Sequence, residues 1–151
     1  MSTISIGEAR AHQVDTLTAL MHESQAYQGE YASILDGYRV TPAYLDRHPT
    51  FVATANDTII GFYSLIPQPP ELDLLFVADT AQGLGVGAAL MTHMFTQATA
   101  RGMTSVRVVS HPPAVEFYKR VGARQIGIVP PHPPKITWPR PELVFDIPPA
   151  Q

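Results

Sequence analysis

Apolar residues recur along the chain in two rhythms, and the switches between them outline the elements. Ile4 and Ile6 alternate with polar neighbours, which predicts a short first strand. Val14, Leu17, Leu20 and Met21 follow at helical spacing and predict a helix over about 11–23. Residues 25–39 hold three tyrosines and two glycines with no clean period, and read as a loop or broken helix. Thr41 before Pro42 has the form of a helix cap and first turn, which predicts a short helix to about His48. Residues 51–55 and 58–66 read as two strands joined by a tight turn at Asn56 and Asp57. Pro67, Pro69 and Pro70 break the pattern, and residues 71–77 resume it as a strand.

A glycine-rich turn then feeds a helix predicted over about 84–101, with Ala88, Met91, Met94, Phe95 and Ala98 as its buried stripe and Gly102 as its stop. Val106, Val108 and Val109 predict a strand. A helix starting at Pro112 or Pro113 carries Val115, Phe117, Tyr118 and Val121 and ends at Gly122. Residues 123–129 and 143–147 read as the last strands. The order is that of one α/β layer structure with a mixed sheet. At 151 residues the length suits a single domain over 1–151 that buries its own core.

Composition removes several functions. There is no cysteine, so disulfides, thiolate metal sites and cysteine nucleophiles are excluded. The six histidines show no paired metal spacing, and no metal is expected. A net charge of -3 argues against a nucleic-acid partner. No apolar run is long enough for a membrane span. The N-terminal residues lack the basic-then-apolar form of a signal peptide, so a cytoplasmic location is expected. Six of the prolines fall within 130–141, which reads as a stiff extended loop.

The segment Gln82-Gly83-Leu84-Gly85-Val86-Gly87 follows a strand and opens a helix. Glycines at such spacing let several backbone N–H groups point into one concavity, where the helix N-terminus adds partial positive charge. The turn therefore suits a phosphate or pyrophosphate. It is no P-loop, because Gly87 is followed by Ala88 and Ala89. It also stands too late in the chain for a dinucleotide fold.

With Gln82, Gly85 and Gly87 at these spacings, the sequence resembles the GCN5-related N-acetyltransferase (GNAT) family, whose signature is Arg or Gln, two residues, Gly, one residue, then Gly or Ala. A second likeness lies in Ala114, Phe117, Tyr118 and Gly122, with His111 where the family has asparagine and Ala123 where it has an aromatic. The resemblance implies a mixed central sheet flanked by helices, with a splayed central strand pair. It implies acetyl-coenzyme A as co-substrate. Leu75, Phe76 and Val77 would lie along the pantetheine arm, and Gln82, Gly83, Leu84, Gly85, Val86, Gly87 and Ala88 around the pyrophosphate. His111, Ala114 and Phe117 would complete the coenzyme site. Tyr118 would be the general acid at the coenzyme sulfur, and Glu71 the general base.

Strand alternation places Glu71, Asp73, Leu75 and Val77 on one face, which makes Asp73 the second candidate for base or ammonium anchor. By the same resemblance, the acceptor site lies between residues 25–39 and 130–141. Tyr27, Tyr31, Tyr38 and Trp138 there supply aromatic surface, and Glu23, Glu30 and Asp36 supply negative charge. His22 and His132 stand near those segments, and His93 reads as a surface helix residue. The expected partner is a small primary amine. A protein or peptide N-terminus, or a non-catalytic coenzyme A sensor, remain the alternatives. The last strand, taken as a sheet edge, leads to the expectation of a homodimer.

Overall fold

The computed structural model describes residues 3–24, 27 and 29–149. Gln25 and the Glu30 side chain, both included in the expectations above, lie outside that set. Strand β1 (Ser5–Glu8) leads through a turn to α1 (Val14–His22). Helix α2 spans Pro42–Arg47, and the Thr41 side chain accepts from the Tyr44 backbone N–H at 3.1 Å, as the cap requires. Strands β2 (Thr50–Ala55) and β3 (Thr58–Pro67) follow as a hairpin. Its two-residue turn holds Asn56 and Asp57 at φ 51° and 64°, a left-handed geometry that these short polar side chains tolerate.

Next come β4 (Pro70–Val77), α3 (Val86–Ala100), β5 (Ser105–Val109), α4 (Val115–Arg120), β6 (Arg124–Val129) and β7 (Arg140–Asp146). The seven strands form one sheet in the order β1-β2-β3-β4-β5-β7-β6. All neighbours are antiparallel except β4 and β5.

Both faces of the sheet are covered. Tyr63, Leu65, Leu72, Val106 and Phe145 pack under α3 and α4, against Leu90, Met91, Met94 and Tyr118. Phe62, Phe76 and Val52 pack on the other face against Leu17, Met21 and Tyr44. Each fully buried side chain of this size contributes roughly 1.5–3 kcal/mol, so these two layers carry the fold. The buried stripe of α3 is rotated from the predicted one. Val86 and Leu90 are buried, Ala88 is exposed and Phe95 is only half-buried.

Three expectations change. The last strand is not an edge: β7 is inserted between β5 and β6, so the edges are β1 and β6. The edge argument for a homodimer therefore does not apply to β7. The proline-rich segment is not a stiff extended loop, because it folds back on itself through backbone hydrogen bonds between His132 and Ile136 (2.7 and 3.1 Å) and enters β7 at Arg140. His93 is not a plain surface residue. Its Nδ1 meets the Tyr63 hydroxyl at 2.6 Å and its ring packs on Phe51, and partial burial lowers its pKa.

Candidate active site

The parallel pair β4–β5 is joined only at Glu71–Arg107 and Leu72–Val108. Beyond Leu72 the strands diverge, which leaves the β4 backbone over 74–77 without a ladder partner on its β5 side. A cleft opens there, with a cavity of about 420 Å³. Leu75, Phe76 and Val77 line it, as do Gln82, Gly83, Gly85, Val86, Gly87, Ala88, His111, Ala114, Phe117 and Tyr118. Leu84 does not line it; it is 67% exposed. Ser24 and Arg120, which the sequence reading did not single out, also line this cleft.

The glycine turn has distinct tasks at its positions. Gly83 and Gly85 hold φ of 81° and 79°, and an added Cβ at either would meet nothing within 4 Å, so the space above the turn is open. Gly87 is constrained by close approach instead: a Cβ there would lie 3.0 Å from the Phe117 ring. Gln82 Nε2 donates to the Val77 carbonyl at 3.1 Å and ties the turn to the end of β4. The open concavity at the start of the fifteen-residue helix α3, with Arg120 beside it, has the electrostatics to hold a phosphate-bearing chain. The unladdered β4 edge offers backbone groups to an amide-bearing arm. The residues thus fit coenzyme A.

A second cavity of about 200 Å³ adjoins the first. Tyr27, Tyr38, Glu71, Asp73, Ser110 and Arg140 line it. Tyr27, Leu75, Phe76, His111 and Tyr118 belong to both cavities and mark their junction. Tyr118 is 7% exposed. Burial pushes its phenol well above the ordinary value, and the neighbouring Tyr27 adds to the rise. The hydroxyl is therefore protonated throughout the neutral range. His111 lies under Tyr27, ring centroids 4.1 Å apart, and Tyr27 itself is pushed up to about 12 by burial, against the lowering effect of Arg140.

The two candidate carboxylates are held differently. β4 carries a bulge: Ser64 pairs with Leu74 and Leu65 with Leu72, so Asp73 is the extra residue. This breaks the predicted alternation. Leu72, Leu75 and Val77 pack in the α3 layer, while Asp73 meets Tyr44 in the opposite layer. Glu71 and Asp73 still border one cavity, but Leu75 and Val77 do not share their face.

A relay orients Asp73. The Leu74 N–H donates to Ser64 Oγ (3.2 Å), Ser64 Oγ donates to the Tyr44 hydroxyl (2.7 Å), and that hydroxyl donates to Asp73 Oδ2 (2.5 Å). Burial and the Asp73 charge keep Tyr44 protonated, its pKa raised. Removing the donor leaves the buried Ser64 hydroxyl without that acceptor. Tyr44→Phe is expected to cost about 1–3 kcal/mol of stability, read as a lower midpoint in denaturant. Glu71 Oε1 instead accepts from Arg107 Nη1 at 2.7 Å, and Arg107 Nε also donates to Glu142.

The two segments expected to form the acceptor site do meet. Tyr31 packs edge-on against Trp138 at 4.9 Å, and Ser33 Oγ donates to the Lys135 carbonyl at 2.6 Å. His22 Nε2 donates to the Tyr38 carbonyl at 2.8 Å, fixing this segment to α1. Tyr27 and Tyr38 line the cavity, but Tyr31 and the buried Trp138 do not; Tyr31 stands edge-on to His111, which does. Glu23, Asp36 and His132 are exposed and line neither cavity. The carboxylates that line the smaller cavity are Glu71 and Asp73. Tyr44, Ser64, Arg107 and Arg140 went unnoticed in the sequence. Only the cap at Thr41 hinted at the first of them, by fixing the start of α2. Among the described residues no cluster of metal-ligating side chains occurs, and no helix is long and apolar enough to cross a membrane.

Two cavities that meet at one buried tyrosine suit a class of protein that holds two ligands together, one of them long and phosphate-bearing. The comparisons with known proteins agree with that class. A model of the acetyltransferase (GNAT) domain matches residues 12–129, and the chain belongs to this family. Among solved structures, a GCN5-related N-acetyltransferase from Rhodopseudomonas palustris superposes with a TM-score of 0.80 at 22% identity, covering 97% of each chain. An aminoglycoside 6'-N-acetyltransferase complexed with coenzyme A gives 0.75 at 17% identity, over 97% of this chain and 99% of that one. The ribosomal-protein-S18-alanine N-acetyltransferase from Escherichia coli gives 0.74 at 16%, over 99% and 97%. No functionally curated protein matches the chain in sequence. These structural likenesses bear on the fold, a mixed sheet flanked by helices and opened between β4 and β5.

Proposed function

We propose that the protein transfers the acetyl group of acetyl-coenzyme A directly to a primary amine of a small molecule. The observation that carries this reading is the meeting of the two cavities at Tyr118. A thioester entering through the glycine-turn cleft and an amine entering through the smaller cavity would approach each other there. Direct transfer then needs no covalent enzyme intermediate, and holding both groups together supplies much of the rate.

The amine nitrogen attacks the thioester carbonyl carbon. The carbon–nitrogen bond forms as the carbon–sulfur bond breaks, and the sulfur leaves with the bonding electron pair. Tyr118, kept protonated by burial, donates a hydrogen bond or its proton to that sulfur. The nitrogen sheds a proton to a carboxylate or to water.

Between the two carboxylates we assign that role to Asp73. It has no cationic partner among the described residues, and the Tyr44–Ser64 relay aims it. Glu71 is committed to Arg107 and acts as a positioning residue. Asp73→Asn is expected to lower turnover roughly 10²-fold or more with coenzyme affinity retained, and Glu71→Gln to lower it less. The ascending limb of the pH–rate profile should follow the acceptor's own amine, because only the neutral amine attacks. If Glu71→Gln has the larger effect, the roles are exchanged; if neither variant slows the reaction, proximity dominates. The overall reading is tested by free-thiol release from acetyl-coenzyme A across a panel of amines. Amine-dependent thiol release is the expected result. Tight coenzyme binding with no release for any amine would instead make the protein a sensor.

A further inference from the structure

Arg140 stands out because its positive charge has no evident use. It opens β7, directly after the buried Trp138 and Pro139, and it lines the acceptor cavity. Its Nε is buried and makes no hydrogen bond, and no carboxylate pairs with it among the described residues. The carboxylate two residues along the same strand, Glu142, is already taken by Arg107, which also holds Glu71. Arg140 is half-buried and borders the cavity, and a partly desolvated cation with no carboxylate beside it is costly unless an anion meets it.

We infer that the acceptor carries a carboxylate as well as its amine, and that Arg140 reads the carboxylate while Asp73 faces the amine. The inference rests on the acetyl-transfer reading of this cavity. A guanidinium edge offers two parallel N–H donors that match a carboxylate. The cavity, about 200 Å³, suits a compact acceptor of the amino-acid kind. Its charges are of both signs, with Asp73 and Glu71 set against Arg140, which fits a zwitterion and opposes a polycation.

The test compares L-leucine with L-leucinamide, L-methionine with L-methioninamide and L-phenylalanine with L-phenylalaninamide, with spermidine and kanamycin as polycations. An amino-acid amide has the less basic amine, so more of it is neutral, which biases the comparison against the expected result. With the wild-type protein, kcat/KM for at least one free acid should exceed that of its amide about 10- to 100-fold, the worth of a charged hydrogen-bonded pair. Arg140→Gln should shrink that ratio to within about threefold, through KM rather than kcat, with a melting temperature no lower than that of the wild type. Arg140→Lys keeps the charge but loses the paired donors, and should fall between the two. Should Arg140→Gln fail to fold, Arg140→Lys carries the test alone, and an unreduced ratio in it overturns the inference. Acids and amides used equally by the wild type, a ratio that survives Arg140→Gln, or acetylation of the polycations alone would each overturn the role of Arg140 while leaving acetyl transfer intact. Coenzyme binding with no amine of the panel acetylated would overturn the transferase reading itself, and this inference with it.

Discussion

Tyr118→Phe is expected to fold, to bind acetyl-coenzyme A with near-normal affinity, and to turn over about 10- to 10³-fold more slowly, equivalent to roughly 1.4–4 kcal/mol in the barrier. The substitution deletes the hydroxyl and keeps the ring that packs beside Phe117 and Phe145. A thiol leaving group has a pKa near 8.5 against about 10 for a free phenol, and burial raises Tyr118 further. Full proton transfer to a free thiolate is therefore uphill. The benefit comes chiefly from a hydrogen bond that strengthens as charge gathers on sulfur. Steady-state kinetics and calorimetric titration with acetyl-coenzyme A, run on the same preparation, separate the outcomes. Loss confined to kcat puts the hydroxyl in the transition state. A lowered melting temperature with unchanged kcat makes Tyr118 a core residue only.

Gly85→Asp is expected to weaken acetyl-coenzyme A binding from the micromolar range, about -8 kcal/mol, by at least about 10²-fold. Gly85 caps α3 in the left-handed region, and nothing lies within 4 Å of the side its Cβ would occupy. The space that a phosphate would use is thus the space that the new carboxylate enters. The fold should survive. Aspartate tolerates this backbone region better than most residues, and a carboxylate at a helix N-terminus is itself favourable. The left-handed backbone strains any side chain, so a modestly lower melting temperature is expected, and loss of binding in the folded variant reads as electrostatic and steric exclusion of the ligand. Unchanged affinity in the folded variant would remove the phosphate cradle from the glycine turn.

Gly85 stands in a signal that can be read locally, whereas Tyr118 is singled out only through the family resemblance of the segment 111–123. A glycine turn between a strand and a helix is short-range, and so are the Thr41–Pro42 cap and the Asn56–Asp57 hairpin; each formed where its residues require. What escaped was set by pairing between distant segments. The bulge at Asp73 adds one residue against β3 and reverses the alternation beyond it, and no residue type in β4 announces it. The insertion of β7 between β5 and β6 is likewise invisible to periodicity, since an interior strand and an edge strand of this length alternate alike. That insertion brings Glu142 to Arg107, 35 residues away in the chain, and Arg140 to the smaller cavity. The commitment of Glu71 to Arg107, and the choice of Asp73 over it, follow from the same long-range geometry.

Under the proposed reaction both substrates occupy the joined cavities at once, and acetyl passes between them without stopping on the protein. The direct measurement is a single-turnover reaction with isotope-labelled acetyl-coenzyme A and an accepted amine, with protein, amine and solvent products resolved by mass spectrometry. Direct transfer puts label on the amine nitrogen, releases one free thiol for each acetyl transferred, and leaves no label on the protein at any time. Label appearing first on the protein, or thiol released with the label recovered only as free acetate, would contradict it.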